Sequence, residues 1–298
     1  MSRRRAGGPD GICVIDKPAG WTSHDVVAKL RGVLGTRRVG HAGTLDPDAT
    51  GVLVVGVGRV TRLLRFVTPL RKRYEGEIVL GVETSTLDAA GEVVATHDMA
   101  GVTLAAARAA ATGLTGDILQ VPPMVSALKV GGRRLHELAR EGIEVEREAR
   151  PVTVHRFDLA ATDDPLVLRA EVECSSGTYV RSLAADLGHA LGGGAHLRGL
   201  RRTAIGSFTL DEATPVEAPV VLPPAAALRD LAAVTVDDAT AALVRTGRVL
   251  AAADLGVTGP SPWAVLAPDG TLLAVYEPTS GDRVKPAVVV STTADDDG

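Results

Sequence analysis

The 298-residue sequence has few of the features that mark several common classes of protein. It has two cysteines, Cys13 and Cys174, and neither belongs to a CxxC motif or a Cys/His cluster. We therefore expect two buried free thiols in a reducing cytoplasm and no metal site. No apolar run approaches the roughly 20 residues that a membrane-spanning helix needs. The phosphate-binding loop and the dinucleotide-binding GxGxxG motif are also missing, so we expect no cofactor and no membrane association.

Charge is unevenly distributed along the chain. The net charge is −4 overall, but residues 1–75 carry +8 and residues 203–298 carry −8. A polyanion would therefore meet the N-terminal part of the protein rather than its average surface. The asymmetry could also be accidental, and charge alone does not separate the two interpretations.

Hydrophobic periodicity predicts alternating strands and helices. We expect strands near 11–16, 52–57, 74–81, 152–160 and 166–174, and helices near 24–33, 59–67, 100–114 and 178–191. This pattern predicts an α+β protein with a mixed sheet and flanking helices. A proline-rich stretch ends the large domain, 11–222, and short strands predict a small β-rich domain at 234–290. Residues 1–10 and 291–298 are expected to be a disordered basic tail and a disordered acidic tail.

One loop, residues 40–51, has the composition of a functional site. Its sequence is Gly-His-Ala-Gly-Thr-Leu-Asp-Pro-Asp-Ala-Thr-Gly. The glycines allow a close approach of the backbone to a ligand, and Pro47 favours an extended conformation at Asp46. The carboxylate of Asp46 would then point out of the turn. The alternative is a tight turn in which Asp and Pro serve geometry alone.

Six segments, in order along the chain, resemble the motifs of the TruB family of pseudouridine synthases. They are residues 16–20 with Ser23, 40–51, 72–74, 126–129, 177–181, and 194–197 with 200–202. The resemblance covers about residues 11–210. It implies a mostly antiparallel sheet, a C-terminal PUA-like domain and the isomerisation of uridine 55 in the T-loop of tRNA. The residues near 124–150 have the length of the family's thumb-like insertion, which implies a monomeric enzyme that uses no guide RNA.

The resemblance also assigns roles to individual residues. Asp46 matches the catalytic carboxylate, which either attacks C1′ of the ribose or removes the 2′ proton, and the sequence does not choose between these routes. Arg181 would hold that carboxylate ionised in a water-poor pocket. Tyr74 would stack on the flipped uracil, and its hydroxyl could accept the C5 proton. The competing interpretations are a surface arginine and a core tyrosine.

Further matched residues have supporting roles. Tyr179 would support Arg181, and Leu200 would pack against the base. His41 would lie near the flipped nucleotides. Lys17 and Pro18 would support the Asp46 loop. RNA contacts are expected from basic residues near the N-terminus and in the insertion, namely Arg37, Arg38, Arg59, Arg62, Lys129, Arg133, Arg134 and Arg140.

Two other functions compete with this one. An RNA chaperone would keep the basic surface but would not need Asp46 together with Arg181. The other competitor is a synthase for a different RNA or one directed by a guide RNA, and the thumb-like insertion argues against a guided enzyme. The presence of all three features favours a stand-alone enzyme acting on tRNA.

Overall fold

The computed structural model describes residues 8–126, 128–130, 132–135, 138, 141–143 and 145–290. Most of the predicted N-terminal tail and all of the C-terminal tail, 291–298, lie outside these residues. The strands are β1 Gly11–Lys17, β2 Val39–His41, β3 Thr50–Val57, β4 Lys72–Leu80, β5 Val82–Thr84, β6 Val93–Thr96, β7 Gly116–Gln120, β8 Lys129–Val130, β9 Arg133–Arg134, β10 Arg150–Ala161, β11 Val167–Cys174, β12 Ala195–Ile205, β13 Phe208–Thr209, β14 Ala232–Thr235, β15 Leu250–Ala251, β16 Trp263–Leu266, β17 Leu272–Pro278 and β18 Arg283–Val289.

The large sheet has the strand order β1-β3-β12-β4-β11-β10-β7, with β2 paired to β3 and β13 to β12. Every pairing in it is antiparallel except β12 with β3. The predicted α+β class and the mixed, mostly antiparallel sheet are therefore confirmed. Strand β3 is buried along nearly its whole length, as its continuous apolar sequence requires.

The α-helices are α1 Ser23–Leu34, α2 Leu64–Val67, α3 Leu104–Gly113, α4 Val180–Ala190, α5 Asp238–Arg245 and α6 Ala252–Leu255. Helix α1 begins with a capping box between Thr22 and Asp25 and ends at Gly35 in the left-handed conformation. The helix predicted from residue 100 begins only at Leu104, because the Thr103 hydroxyl caps it by accepting the N–H of Ala106. The helix predicted at 59–67 is a 3-10 turn, Gly58–Leu63, followed by α2.

A second sheet lies at the C-terminal end, with the order β14-β16-β17-β18-β15. One of its faces encloses a core of its own around Leu273 and Tyr276. Residues Leu272 and Val275 instead join a cluster that contains Val14 and Val52 of the large sheet. The two sheets therefore share apolar surface.

The chain between β7 and β10 contains the hairpin β8–β9, in which Lys129 pairs with Arg134. Gly132 at the tip of this hairpin has a φ of 87°, which is the left-handed conformation that such tight turns require. Gly131 and Arg140 lie outside the described residues.

Candidate active site

Asp46 lies at the first position of a tight turn between β2 and β3. The N–H of Ala49 donates to the Asp46 carbonyl at 3.2 Å, and Pro47 occupies the next position of the turn. The Asp46 side chain remains 42% exposed, although the residues on both sides of the turn, Leu45 and Ala49, are buried. The turn therefore presents the carboxylate to a cleft, as the sequence predicts.

Two buried side chains from the preceding segment anchor this loop. The ammonium of Lys17, which is fully buried, donates to the carbonyls of Pro18 at 2.9 Å, Trp21 at 2.5 Å and Pro47 at 2.9 Å. The Ser23 hydroxyl accepts the N–H of Leu45 at 2.9 Å. Burial lowers the pKa of Lys17 to about 8. The motif that contains Lys17 and Pro18 thus contacts the Asp46 loop directly.

Arg202 holds the other side of the loop. Its guanidinium donates to the carbonyls of Val52 at 2.8 Å, Gly43 at 3.1 Å and Thr44 at 3.4 Å, and the residue is 1% exposed. Gly51 must be glycine here, because its φ is 97° and a Cβ would lie 2.2 Å from the Arg202 carbonyl oxygen. The sequence places Arg202 in a motif but does not indicate this anchoring role.

Arg181 faces the Asp46 carboxylate from the first turn of α4. Its Nε lies 3.0 Å from Asp46 Oδ2, and its Nη2 donates to Oδ1 at 3.3 Å. Arg181 also donates to two carbonyls, that of Val125 at 2.8 Å from Nη2 and that of Thr86 at 2.9 Å from Nη1. The guanidinium is 4% exposed, so Arg181 is not the surface arginine of the alternative interpretation. Because the guanidinium is planar and itself held by these acceptors, it fixes the Asp46 carboxylate in one orientation.

A second carboxylate, Asp88, completes this charge network and was not predicted from the sequence. Its Oδ2 lies 3.3 Å from Arg181 Nη1, while its Oδ1 accepts the Thr86 hydroxyl at 2.6 Å. Between them, Leu87 has a φ of 62°, a strained conformation for a non-glycine residue. The sequence gives no sign of this strained turn, so it could not have indicated Asp88.

The environment of Asp46 favours protonation more than an ordinary surface position does. Burial raises its pKa, the Arg181 guanidinium opposes that effect, and the Asp88 carboxylate adds to it. The net direction is upward. Arg181 is the group that most strongly opposes this rise in the pKa of Asp46.

Two cavities meet at the Asp46–Arg181 pair, and Leu200 lines both. The larger, about 430 Å³, is mainly apolar. The smaller, about 260 Å³, is bordered by Tyr74 and by Tyr179. A flat ring could enter the smaller cavity beside Tyr74 while staying in reach of Asp46.

Tyr74 belongs to the core, as in the competing interpretation, and it also borders the smaller cavity. It is 8% exposed and packs in the same cluster as Ile78 and Val172. Burial raises the pKa of its hydroxyl. At neutral pH it is therefore a neutral phenol, suited to relaying a proton rather than holding a standing negative charge.

His41 lies at the end of β2 with its ring edge-on to that of His24, at 5.6 Å between centroids. Burial and the charges of His24 and Arg202 lower the pKa of His41 to about 4. Its Nδ1 is buried and has no hydrogen-bond partner among the described residues. With a pKa of about 4 the ring is neutral and only weakly basic at neutral pH, so it is poorly suited to accept a proton there.

Comparison with known families identifies the family to which this chain belongs. Residues 31–180 match the model of the TruB family pseudouridylate synthase N-terminal domain. Residues 181–221 match the tRNA pseudouridylate synthase B C-terminal domain, and residues 231–291 match the tRNA pseudouridine synthase II C-terminal model. The chain belongs to the TruB family of pseudouridine synthases.

Curated TruB relatives match almost the whole chain. A protein from Arthrobacter sp. (strain FB24) named tRNA pseudouridine synthase B is 47% identical over 97% of this chain and 99% of its own length. A protein of the same name from Thermobifida fusca is 48% identical over 94% and 98%. The resemblance inferred from the six motifs is confirmed.

Two solved structures of similar fold are complexes. A chain of a Cbf5-Nop10-Gar1 complex matches with a TM-score of 0.72 and 27% identity, covering 94% of this chain and 84% of the other. A chain of an H/ACA RNP bound to a substrate RNA that contains 2′-deoxyuridine gives 0.70 and 25%, with the same coverage.

The basic residues predicted to contact RNA differ in their availability. Arg37, Arg38 and Arg62 are exposed. Arg59 instead binds Asp10, with Nε donating to Oδ2 at 2.7 Å, and Arg133 pairs with Glu141. The side chains of Lys129 and Arg134 lie outside the described part of the structure. Within that part, no helix is long and apolar enough to cross a membrane, and no group of three or more potential metal ligands is present.

Proposed function

We propose that this chain converts uridine 55 in the T-loop of tRNA to pseudouridine, with Asp46 as the catalytic carboxylate. The observation that carries the proposal is the Asp46–Arg181 pair at the junction of two cavities. The position in tRNA follows from the motif resemblance. The tRNA substrate is supported by relatives of 46–48% identity, matched over nearly their full length, that are named tRNA pseudouridine synthase B.

The target uridine is stacked inside a folded loop, so it must leave the stack before reaction. In the proposed complex the uracil enters the smaller cavity against the Tyr74 ring, and Leu200 packs beside it. His41, which is neutral, lies at the side of the loop where displaced neighbouring nucleotides would pass. Exposed Arg37, Arg38 and Arg62 attract the phosphate backbone.

The chemistry is an isomerisation, so atoms balance without any other reactant. In one route Asp46 bonds to C1′ as N1 leaves, the uracil turns over, and C5 displaces the carboxylate from C1′. In the other, Asp46 removes the 2′ proton, the base leaves to give a glycal, and C5 then bonds to C1′ as the proton returns to C2′. In both routes the C5 proton is lost, and N1 gains a proton. Tyr74, a neutral phenol beside the base, is the group proposed to relay the proton that leaves C5.

A guide-dependent activity is the second candidate, because the solved structures of similar fold belong to H/ACA complexes. The stand-alone reaction is favoured because the named tRNA enzymes share 46–48% identity, against 25–27% for those complexes.

The test is incubation of the purified protein with an unmodified tRNA transcript in EDTA, without cofactors or other RNA. Pseudouridine at position 55 is expected. Its formation only after addition of a guide RNA, or at another position, would contradict the proposal.

A further inference from the structure

Gln120 is a buried polar residue that belongs to none of the motifs matched by the active-site residues. It is the last residue of β7, the edge strand of the large sheet, and it is 2% exposed. Its Oε1 accepts the backbone N–H of Tyr179 at 2.7 Å, and its Nε2 donates to the Tyr179 carbonyl at 3.1 Å. One amide therefore binds both backbone polar groups of one residue, 59 positions away in sequence.

Tyr179 is the N-cap residue that precedes α4, and its own side chain makes no capping hydrogen bond. Arg181 follows two residues later, so the position of Tyr179 sets the origin of the Arg181 side chain. A displacement of the first turn of α4 would move the guanidinium relative to Asp46. The N-cap is the point where an external restraint has most effect, because the first N–H groups of a helix have no partner within it.

Two further hydrogen bonds join the chain after Gln120 to the same turn. The Ser182 hydroxyl donates to the Val121 carbonyl at 3.3 Å, and Arg181 Nη2 donates to the Val125 carbonyl at 2.8 Å. These two contacts use carbonyls that any residue supplies. Gln120, by contrast, makes its connection through a particular side chain.

We propose that Gln120 is a positioning residue for the reaction, whose amide clamps Tyr179 and thereby fixes Arg181 against Asp46. This inference rests on the proposed function, because it gives Asp46 a reaction to perform. The competing role is purely structural: Gln120 would satisfy two buried backbone groups and contribute only to stability.

The pH dependence of the reaction separates the two roles. The charged groups that act on Asp46 are Arg181, Asp88 and Lys17. If Arg181 is displaced, burial and the Asp88 carboxylate act on Asp46 with less opposition. The acid limb of the rate profile should then move to higher pH. A loss of stability alone would lower the fraction of folded enzyme without moving that limb.

The experiment compares Gln120→Met, which keeps the volume of the side chain, with Gln120→Ala and Gln120→Glu. Leu119→Ala is the matched control, since Leu119 is the preceding residue on β7 and is 73% exposed. For each protein we would measure single-turnover rates on saturating tRNA from pH 5 to 9, the affinity for tRNA, and thermal unfolding. Wild-type formation of pseudouridine tests the proposed function separately from any variant.

We expect the Met and Ala variants to react about 10–100-fold more slowly, as a small misplacement of a catalytic group does. Their acid limb should move upward, and their affinity for tRNA should stay within about threefold of wild type. Glu keeps an acceptor for the Tyr179 N–H and should fall between wild type and Met in rate. Rates within twofold of Leu119→Ala, a fall in rate with an unmoved acid limb, or failure of all three variants to fold would each overturn the proposal.

Discussion

The Arg181 guanidinium contacts both carboxylate oxygens of Asp46, with Nε at 3.0 Å from Oδ2 and Nη2 at 3.3 Å from Oδ1. The same group also contacts Asp88 and the carbonyls of Thr86 and Val125. Its position is therefore fixed from three sides of the cleft. The two residues are 135 positions apart in sequence, so the pair exists only in the folded chain.

Arg181→Lys tests the geometry of this pair while keeping the charge. A lysine has no planar fork and cannot reach two carboxylate oxygens and two carbonyls together. We expect the single-turnover rate to fall by about 10²–10³-fold, the range in which losses of well-placed electrostatic groups lie. Lysine keeps the charge that opposes the upward pKa shift of Asp46 but loses the guanidinium hydrogen bond, so the acid limb should move only slightly to higher pH. A variant with wild-type rate and pH profile would contradict the role assigned to the pair.

Asp46→Asn tests the catalytic carboxylate itself. Pseudouridine formation should be abolished, because an amide neither attacks C1′ nor removes the 2′ proton. Affinity for tRNA should stay within about tenfold, or roughly 1.4 kcal/mol. Asp48→Asn is the control, since Asp48 lies in the same turn and borders the larger cavity. Turnover by Asp46→Asn, or inactivity of Asp48→Asn alone, would mean that the wrong carboxylate was chosen.

The site residues that could be predicted from the sequence lie in short segments with a distinctive sequence. The loop at 40–51 and the segment around Arg181 were identified through their resemblance to the family's motifs, since local chemistry alone left a tight turn and a surface arginine as alternatives. Asp88, Gln120 and the anchoring by Arg202 could not be predicted, because each acts through contacts with residues remote in sequence. Their local sequences resemble an ordinary turn, an ordinary edge strand and an ordinary basic strand.

The secondary structure, too, could be predicted only in part. Strands and helices with regular apolar spacing were predicted within a few residues of their observed ends. Strand β12 was not predicted, although it pairs with both β3 and β4 at the centre of the large sheet. Two register shifts, between Arg198 and Arg201 and between Arg202 and Ala204, interrupt its alternation. A β-bulge removes the two-residue period on which prediction of a strand depends.

His41 should affect how stability depends on pH. Its pKa is about 4 in the folded protein, against about 6.5 for an unperturbed histidine. Between these values the unfolded chain binds a proton that the folded one does not, so stability falls as the pH falls through this window. The loss is on the order of 3 kcal/mol by pH 4.

The measurement is the free energy of unfolding in urea at pH 7.5 and at pH 4.5. His41→Gln should show a smaller decrease between the two than wild type does. His155→Gln is the control, because His155 is exposed on β10. An equal decrease in wild type and His41→Gln would show that His41 is not held neutral by the fold.

Tyr74 has two proposed contributions that substitution can separate. Tyr74→Phe keeps the ring against which the uracil would stack but removes the hydroxyl. Turnover should therefore fall by about 10²–10⁴-fold, as for a lost proton-transfer group, with affinity for tRNA nearly unchanged. Tyr74→Ala also removes the stacking surface, worth about 1–3 kcal/mol per base, and should weaken the flipped complex as well.

The decisive comparison is Phe against Ala in single-turnover rate and in fluorescence of a base analogue placed at the target position. Tyr276→Phe is the matched control, because the Tyr276 hydroxyl is also buried and donates to the Arg248 carbonyl at 2.7 Å in the C-terminal sheet. That control should lose some stability and keep full activity. A wild-type rate for Tyr74→Phe would remove the hydroxyl from the mechanism and leave stacking. Wild-type rates for both Tyr74 variants would make Tyr74 a core residue, because neither its hydroxyl nor its ring would then contribute to the reaction.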